Sequence, residues 1–285
     1  AEALRAYREV CEAGPSPVAL LAGIAADSMG IAADSMAGIA AAAGFYRDAL
    51  SQDEHDENAA LHLMHGLLRA GDSESAAALR PKLPTHVLSS VDYVLSTPVA
   101  MAPSVHYFTY DMMQLALRSA HAESQAGLLL EFGVYHGRTL RMIASHFPDD
   151  PVHGFDTFSG IPEDWHSTRA GAYSTHGTLP PAPDNVQYHV GLFADTLPAF
   201  LEANPGPIRL MNLDCDLYSS AKDVLDAVAG RLRPGSVIVL DEYVMNPHWE
   251  EDEYRAFQEA VAEHGWEYRY LGISLVSQQA VVQLV

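Results

Sequence analysis

Short apolar runs alternate with helical segments from about residue 125 to the end, and this alternation limits the possible folds more than any other feature. Helical patterns such as RTLRMIASHF and SSAKDVLDAVAGRL separate apolar runs at residues 128–134, 152–156, 186–191, 208–214 and 236–241. The last two runs, WEYRYLG and LVSQQAVVQLV, are separated too briefly for a crossover helix and should pair antiparallel. Five βα units followed by a hairpin predict an α/β fold, doubly wound, with a seven-stranded and mainly parallel sheet.

Carboxylates follow several of these strands at the point where each strand ends. The fourth run ends in Asp214 and Asp216, the fifth in Asp241 and Glu242, and the second in Asp156. Ligands of doubly wound sheets bind at the carboxyl ends of the strands, so these acids should surround one crevice. A single aspartate at such a position is more often a turn residue. Two pairs on neighbouring strands favour a functional site.

The turn after the first strand, EFGVYHG at 131–137, points to a particular kind of ligand. Its glycines, Gly133 and Gly137, permit close approach, but their G-x-x-x-G spacing differs from the dinucleotide fingerprint. Asp156 follows Gly133 by 23 residues, the spacing of an acid that binds ribose hydroxyls. Glu131 at the mouth of the first strand suits a ligand with a positive end. Together these features favour S-adenosylmethionine over a nicotinamide cofactor.

The first 85 residues are rich in alanine and helical in pattern, so we expect domains at 1–85 and 86–285. The segment GIAADSM at 23–29 repeats unchanged at 30–36, which we interpret as a duplication within a tolerant helix. Ala43 and Ala77 stand 34 residues apart, and RAGDSESA resembles a turn between antiparallel helices, as in about one and a half tetratricopeptide repeats. We expect this extension to be a helical cap or a subunit contact, and the protein to be a homo-oligomer.

Composition excludes several classes of partner. The chain has 16 Lys+Arg against 37 Asp+Glu, a formal net charge of −21, which repels the phosphates of nucleic acids. Asp27 and Asp34 interrupt the small-residue tract at 20–44, so no membrane span is expected. Cys11 and Cys215 are expected to be reduced thiols. The charged N-terminal segment does not resemble a signal peptide, so we expect a cytoplasmic protein.

Five segments occur in the order EFGVYHGRTL, GFDTFSGIPEDW, GLFADTLP, NLDCDLYSS and VIVLDEY. Together they resemble the class I methyltransferases of the macrocin O-methyltransferase type, over about residues 88–285. The resemblance implies a Rossmann-like fold and an S-adenosylmethionine-dependent O-methyltransferase that acts on a small-molecule acceptor, a sugar or phenol hydroxyl of a natural product. It implies cofactor contacts from Glu131, Gly133, Tyr135, Gly137, Asp156, Thr157, Phe158, Gly191, Leu192, Phe193 and Asp214.

The resemblance also implies a Mg²⁺ site formed by Asp214, Asp241 and Glu242. Relatives commonly have two aspartates after the fifth strand, so the Asp241-Glu242 pair departs from their pattern. Mg²⁺ prefers oxygen ligands. It would lower the pKa of a chelated sugar hydroxyl and so help to form the nucleophile.

Three residues are candidate catalytic bases. Asp216 is the candidate that the resemblance implies. His176 and His248 are rivals, because both fall in loops near the predicted crevice. The long connection between Gly160 and Asn185 is either an active-site lid or a connection without function.

Two alternative functions remain open from the sequence. One is a metal-independent N-methyltransferase for an amino sugar or another amine, since a neutral amine is already nucleophilic. The other is a catalytically silent fold whose helical extension binds a protein partner; intact motifs at both the cofactor and acid sites argue against it.

Overall fold

The computed structural model describes residues 36–98, 109–122 and 126–285. The chain divides into two compact units, residues 1–107 and 108–285. The duplicated GIAADSM segment, apart from Met36, and Cys11 lie outside the described residues. The domain limits expected from the sequence, 1–85 and 86–285, remain a proposal. In the described parts of the chain, no helix has the length and apolar character needed to cross a membrane.

The described part of the first unit is helical. Its helices are α1 (Met36–Gln52), α2 (Glu57–Arg69), α3 (Ser73–Ala77) and α4 (Thr85–Ser96), with a 3₁₀ turn at Arg80–Lys82. Carboxylates of Asp56 and Asp72 cap α2 and α3 by accepting hydrogen bonds from the first-turn amides of each helix. The RAGDSESA turn therefore joins a 13-residue helix to a helix of only five residues.

The second unit contains the predicted seven-stranded sheet. Its elements are α5 (Thr109–Ala122), β1 (Leu128–Phe132), α6 (Arg138–His146), β2 (Val152–Asp156), β3 (Val186–Val190), α7 (Phe193–Ala203), β4 (Ile208–Leu213), α8 (Tyr218–Val228), β5 (Val237–Leu240), α9 (Glu253–His264), β6 (Tyr268–Ile273) and β7 (Ala280–Leu284). The strand order is β3-β2-β1-β4-β5-β7-β6, and β7 pairs antiparallel with both neighbours. The predicted α/β fold with a terminal hairpin is confirmed.

The connection between β2 and β3 corrects one expectation. Residues 157–185, all described, contain no helix, so four strands rather than five are followed by one. This segment holds four prolines and three glycines, and prolines interrupt the hydrogen bonds of a helix interior. The chain therefore returns to the sheet as a long irregular loop.

Burial of both faces of the sheet explains why the sequences of the central strands are unbroken apolar runs. Leu129 on β1, Leu210 on β4 and Val237 on β5 are fully buried, as are Met113 on α5 and Ile143 on α6. Parallel strands covered by helices bury both faces, so no polar alternation appears in their sequence. The same parallel arrangement brings the carboxyl ends of β1, β2, β4 and β5 to one edge of the sheet.

Candidate active site

A cavity of about 470 Å³ lies at the carboxyl ends of the parallel strands. Its wall is formed by the turns after β1, β2, β4 and β5, the starts of α7 and α8, and the loop 157–185. The sequence-predicted residues that border it are Gly133, Tyr135, Asp156, Thr157, Gly191, Leu192, Phe193, Asp214, Asp216 and Glu242. Residues from all the predicted strand-end positions therefore meet at one place.

The turn after β1 lies directly against the turn after β4. Gly133 has φ +85°, and a Cβ atom placed on it would lie 1.8 Å from the backbone oxygen of Asp214. The Gly133 amide donates to the Phe155 carbonyl at 3.0 Å, and the Asp214 amide donates to the Phe132 carbonyl at 2.9 Å. Only glycine fits both this backbone conformation and this space. The two turns therefore form one continuous part of the cavity wall.

Asp156 holds the turn after β1 in shape. Its Oδ2 accepts hydrogen bonds from the amides of Val134 and Tyr135, both at 2.8 Å, and its Oδ1 accepts one from the Phe158 amide at 2.6 Å. A carboxylate can accept about four hydrogen bonds, so these three leave Asp156 with some acceptor capacity. Asp156 thus shapes the wall, and its predicted contact with a ribose stays a prediction.

Glu131 does not lie at the mouth of the cavity, as its sequence position suggested. It is fully buried, and it accepts hydrogen bonds from the Thr139 hydroxyl and, at 2.9 Å, from the Asn212 side-chain amide. Burial raises its pKa to about 8. Helices cover both faces of a parallel sheet, so side chains on the central strand β1 are buried. Two further predicted contacts, Gly137 and Phe158, also do not border the cavity.

The turn after β4 places Asp216 at the wall in an unusual backbone conformation. Asp216 has φ +59°, and the Leu217 amide donates to the Cys215 carbonyl at 2.6 Å, which closes a γ-turn around it. Burial and the neighbouring carboxylates of Asp241, Asp252 and Asp156 raise the pKa of Asp216 to about 7.

Positive φ angles recur around the cavity. Tyr135 (φ 48°), Tyr173 (φ 58°) and Asp216 (φ 59°) all border it. Side chains other than glycine rarely adopt this conformation, and such strain clusters at functional sites. The recurrence supports a functional role for this cavity.

The donor atoms of the three predicted metal ligands do not all lie within 4.8 Å of one another. Glu242 borders the cavity, and burial and nearby acids raise its pKa to about 8; Asp241 lies outside the lining and accepts a hydrogen bond from Gln279. Carboxylate oxygens suit Mg²⁺. Among the described residues, however, one set of three acidic, histidine or cysteine ligands has all its donor atoms within 4.8 Å: Asp226, Glu263 and His264. That set is exposed and already binds the Lys222 ammonium group.

Asp252, directly before α9, and Glu253, its first residue, contact the loop and the turns that form the cavity wall. Sequence reasoning missed both residues. The Asp252 carboxylate binds His166 of the loop 157–185 at 2.8 Å. Glu253 is fully buried and accepts hydrogen bonds from the amides of Cys215 at 2.9 Å and Glu242 at 3.1 Å. In the sequence, EEDEY resembles an ordinary acidic first turn of a helix, which hides these contacts.

Neither candidate histidine borders the cavity. His248 stacks on His166, with ring centroids 4.2 Å apart and an interplanar angle of 20°. His176 is exposed, and its amide donates to the Ser174 hydroxyl at 2.9 Å. Their assignment as bases remains a prediction without support from their position.

The loop 157–185 contributes one side of the wall. Its Glu163 accepts a hydrogen bond from the Ser219 hydroxyl at 2.5 Å, and Tyr173 meets Tyr135 edge to face at 6.1 Å. The Phe158 carbonyl accepts hydrogen bonds from two amides further along the loop, which folds the segment back on itself. Lining residues that the sequence did not single out as site residues are Gly160, Ile161, Pro162, Glu163, Tyr173, Ala194, Cys215, Ser219, Ser220 and Asp223. GIPEDW, the end of the second of the five motifs, supplies four of them.

Comparison with known proteins agrees with this architecture. Residues 130–243 match the sequence model of a family described as a methyltransferase domain. The 8-demethyl-8-(2,3-dimethoxy-alpha-L-rhamnosyl)-tetracenomycin-C 4'-O-methyltransferase of Streptomyces olivaceus is 29% identical over 160 residues, 48% of this chain and 60% of that protein. The chain therefore spans about three fifths of the length of this curated relative.

The chain also resembles solved structures. CalS11, a calicheamicin methyltransferase, superposes with a TM-score of 0.51 and 22% identity, covering 79% of this chain and 91% of that one. The O-methyltransferase NovP gives a TM-score of 0.46 at 18% identity, covering 69% of this chain and 98% of that one. The resemblance drawn from the motifs is confirmed: the second unit has a class I methyltransferase fold, and residues 130–243 match a methyltransferase domain.

Proposed function

We propose that this chain is an S-adenosylmethionine-dependent O-methyltransferase that methylates a hydroxyl group of a natural product or of a sugar attached to one. One observation carries the proposal: all five sequence motifs contribute residues to a single cavity at the strand ends. The match to a methyltransferase domain supports the reaction type. The relative from Streptomyces olivaceus, named as a 4'-O-methyltransferase of a rhamnosyl tetracenomycin, supports the acceptor class.

The wall fits the proposed cofactor. When bound, S-adenosylmethionine supplies an electrophilic methyl group. Gly133, which has no side chain, lets the turn after β1 lie directly against the turn after β4 at the cavity wall. Asp156 has acceptor capacity left for ribose hydroxyls, and half-exposed Leu192 and Phe193 offer apolar surface for an adenine ring. These assignments explain why an acid, a glycine turn and apolar residues border the same cavity.

Asp216 is the proposed base. Its carboxylate borders the cavity and would accept the proton from the acceptor hydroxyl as the oxygen attacks the methyl carbon. His176 and His248 lie off the cavity, so Asp216 is the better positioned candidate of the three. The chain's contribution is then to orient the acceptor, exclude water and hold this proton.

Magnesium dependence is a separate hypothesis. The carboxylate oxygens of Asp214, Asp241 and Glu242 have the chemistry for it, although they do not all lie within 4.8 Å of one another. The proton transfer to Asp216 does not require the ion. Activity in excess EDTA, compared with activity after added Mg²⁺, decides whether the reaction depends on the ion.

The charge of the lining narrows the acceptor class. Six acidic residues border the cavity: Asp156, Glu163, Asp214, Asp216, Asp223 and Glu242. The described lining includes no lysine or arginine. Such a lining offers a phosphate group no cationic partner, so a phosphate is disfavoured there. We therefore propose an acceptor without phosphate, a glycoside rather than a nucleotide-linked sugar. The same lining favours an amine-bearing acceptor, which keeps N-methylation as the second candidate.

The experiment is a methyl-transfer assay with S-adenosylmethionine and a panel of neutral glycosides, amino glycosides and nucleotide sugars. We expect S-adenosylhomocysteine to form with the phosphate-free hydroxyl acceptors, and Asp216→Asn to lower turnover at least tenfold. Asp184→Asn, an exposed carboxylate off the cavity, is the matched control. Transfer only to nitrogen would move the assignment to the second candidate. Failure to bind S-adenosylhomocysteine would refute the proposal.

A homo-oligomeric state and a cytoplasmic location also remain proposals, based on the helical extension and on the sequence. Light scattering after gel filtration tests the first. Fractionation of cells that express the protein tests the second.

A further inference from the structure

Two turns that carry the proposed chemistry meet at one buried carboxylate. β4 and β5 are neighbours in the sheet, and the turns that follow them begin with Asp214 and Asp241. Glu253, the first residue of α9, has an exposed fraction of 0%. Its Oε1 accepts a hydrogen bond from the Cys215 amide at 2.9 Å, and its Oε2 accepts one from the Glu242 amide at 3.1 Å. One side chain thus bonds to both turns.

These two hydrogen bonds begin where the backbone hydrogen bonds between the strands end. The amide of Asp214 still donates to β1, at the Phe132 carbonyl, and the amide of Asp241 still donates to β4, at the Leu213 carbonyl. The next amides along the chain, of Cys215 and Glu242, bond to Glu253 instead. Buried amides need an acceptor, and a carboxylate offers one oxygen to each.

We infer that Glu253 is a positioning residue that aims Asp216 into the cavity, an inference that rests on the proposed function. Asp216 sits in a γ-turn with φ +59°, closed by a hydrogen bond from the Leu217 amide to the Cys215 carbonyl. Such a turn persists only when its surroundings hold it. Glu253 holds the amide of Cys215, directly before Asp216, and through Glu242 it ties this turn to its neighbour.

The substitution Glu253→Gln tests the inference with almost no change in shape. The amide side chain keeps one acceptor oxygen and turns an N–H₂ group toward one of the two backbone amides. Glu253→Asp keeps both oxygens but is one bond shorter, so it cannot reach both turns as the parent does. Glu263→Gln is the matched control, because Glu263 is an exposed glutamate of the same helix that binds Lys222.

Two measurements are made on the full chain. Hydrogen exchange followed by mass spectrometry reports the amides of Cys215 and Glu242, and methyl transfer gives kcat and KM. In the parent protein we expect both amides to exchange slowly. In Glu253→Gln we expect at least tenfold faster exchange at these amides, at least tenfold lower kcat, and a KM for S-adenosylmethionine within threefold of the parent. The control, Glu263→Gln, should match the parent in the exchange rates of these amides and in kcat and KM.

Each result decides the inference. Fast exchange at both amides in the parent, or a kcat unchanged in a variant with loosened turns, overturns it. So does a loss of kcat that merely follows the unfolded fraction measured by thermal melting. If Glu253→Gln does not fold, Glu253→Asp and the parent exchange data carry the test. A parent chain that binds S-adenosylhomocysteine but methylates no hydroxyl refutes the proposed function, while the exchange data still decide whether Glu253 anchors the turns.

Discussion

The imidazole Nε2 of His166 lies 2.8 Å from Oδ2 of Asp252, although 86 residues separate them along the chain. His166 belongs to the loop 157–185, and Asp252 directly precedes α9. The pair therefore ties the cavity-lining loop to the helix whose first residue, Glu253, anchors the turns after β4 and β5. A second bond, from Ser219 to Glu163, holds the same loop to α8.

We predict that His166→Ala loosens the loop. The substitution removes its bond to Asp252 and its stacking with His248. Limited proteolysis should cut within residues 157–185 several times faster than in the parent, and the KM for the acceptor should rise. Arg169→Ala is the control, because Arg169 pairs with Asp164 at 2.5 Å inside the same exposed loop. Equal cleavage of parent and His166→Ala would mean that the pair does not restrain the loop.

Asp156→Ala should weaken binding of S-adenosylhomocysteine at least tenfold, or about 1.4 kcal/mol. The substitution removes a proposed ribose contact and also frees the amides of Val134, Tyr135 and Phe158. Titration calorimetry measures the affinity, with Asp184→Ala as the control. An unchanged affinity would remove Asp156 from the cofactor site.

Gly133→Ala should destabilise the second unit. Its Cβ would lie 1.8 Å from the Asp214 carbonyl oxygen, so the backbone must shift, and alanine disfavours φ +85°. We expect a loss of about 1–3 kcal/mol in the free energy of unfolding, typical of overpacking. Urea denaturation measures it. Gly206→Ala is the control, since a Cβ there has no atom within 4 Å. Similar midpoints for the two variants would contradict the steric argument.

A histidine pair should lower the free energy of unfolding below pH 6.5. Nδ1 of His153 lies 3.2 Å from Nε2 of His189, and burial followed by the charge of His189 lowers the pKa of His153 to about 4. Above pH 6.5 neither the folded nor the unfolded state binds this proton, so His153 does not change the stability there. As the pH falls from 6.5 toward 4, the unfolded state takes up the proton first, and the contribution of His153 lowers the free energy of unfolding by ~2 kcal/mol at pH 5. Glu131 and Glu242, whose pKa values are raised to about 8, contribute with the opposite sign, so the effect is measured against a variant without the histidine.

Urea midpoints between pH 7 and pH 5 test this dependence. Relative to His153→Phe, the parent should lose ~2 kcal/mol of unfolding free energy between pH 7 and pH 5, because phenylalanine binds no proton. His55→Gln is the control, since His55 is exposed. The same pH dependence in parent and His153→Phe would mean that His153 makes no such contribution.

A chain that starts near Pro84 should still bind S-adenosylhomocysteine. Every described residue that lines the cavity falls within residues 133–242. We expect an affinity within threefold of the full chain, with any self-association reduced. Circular dichroism confirms folding and calorimetry measures binding. A folded truncated chain without affinity would make the helical extension part of the site.

The candidate site could be predicted in part. Asp214, Asp216 and Glu242 were placed at the cavity because they directly follow strands, and parallel strands end at the same edge. Glu131 was misplaced, because its burial depends on Thr139 and Asn212, which lie on α6 and β4. Gly160, Ile161 and Pro162 belong to a quoted motif, yet their position at the wall depends on how the loop folds back.

The sequence by itself determined the seven strands of the second unit, the helices that follow four of them, the antiparallel hairpin at its end and the acids at the strand ends. These features repeat over short distances, so periodicity and turn residues reveal them. The tertiary structure alone decided that Asp252 holds the loop and that Glu253 holds two turns. Those contacts join residues 86 and 38 positions apart, and they exist only because the sheet brings distant segments together and buries their polar groups.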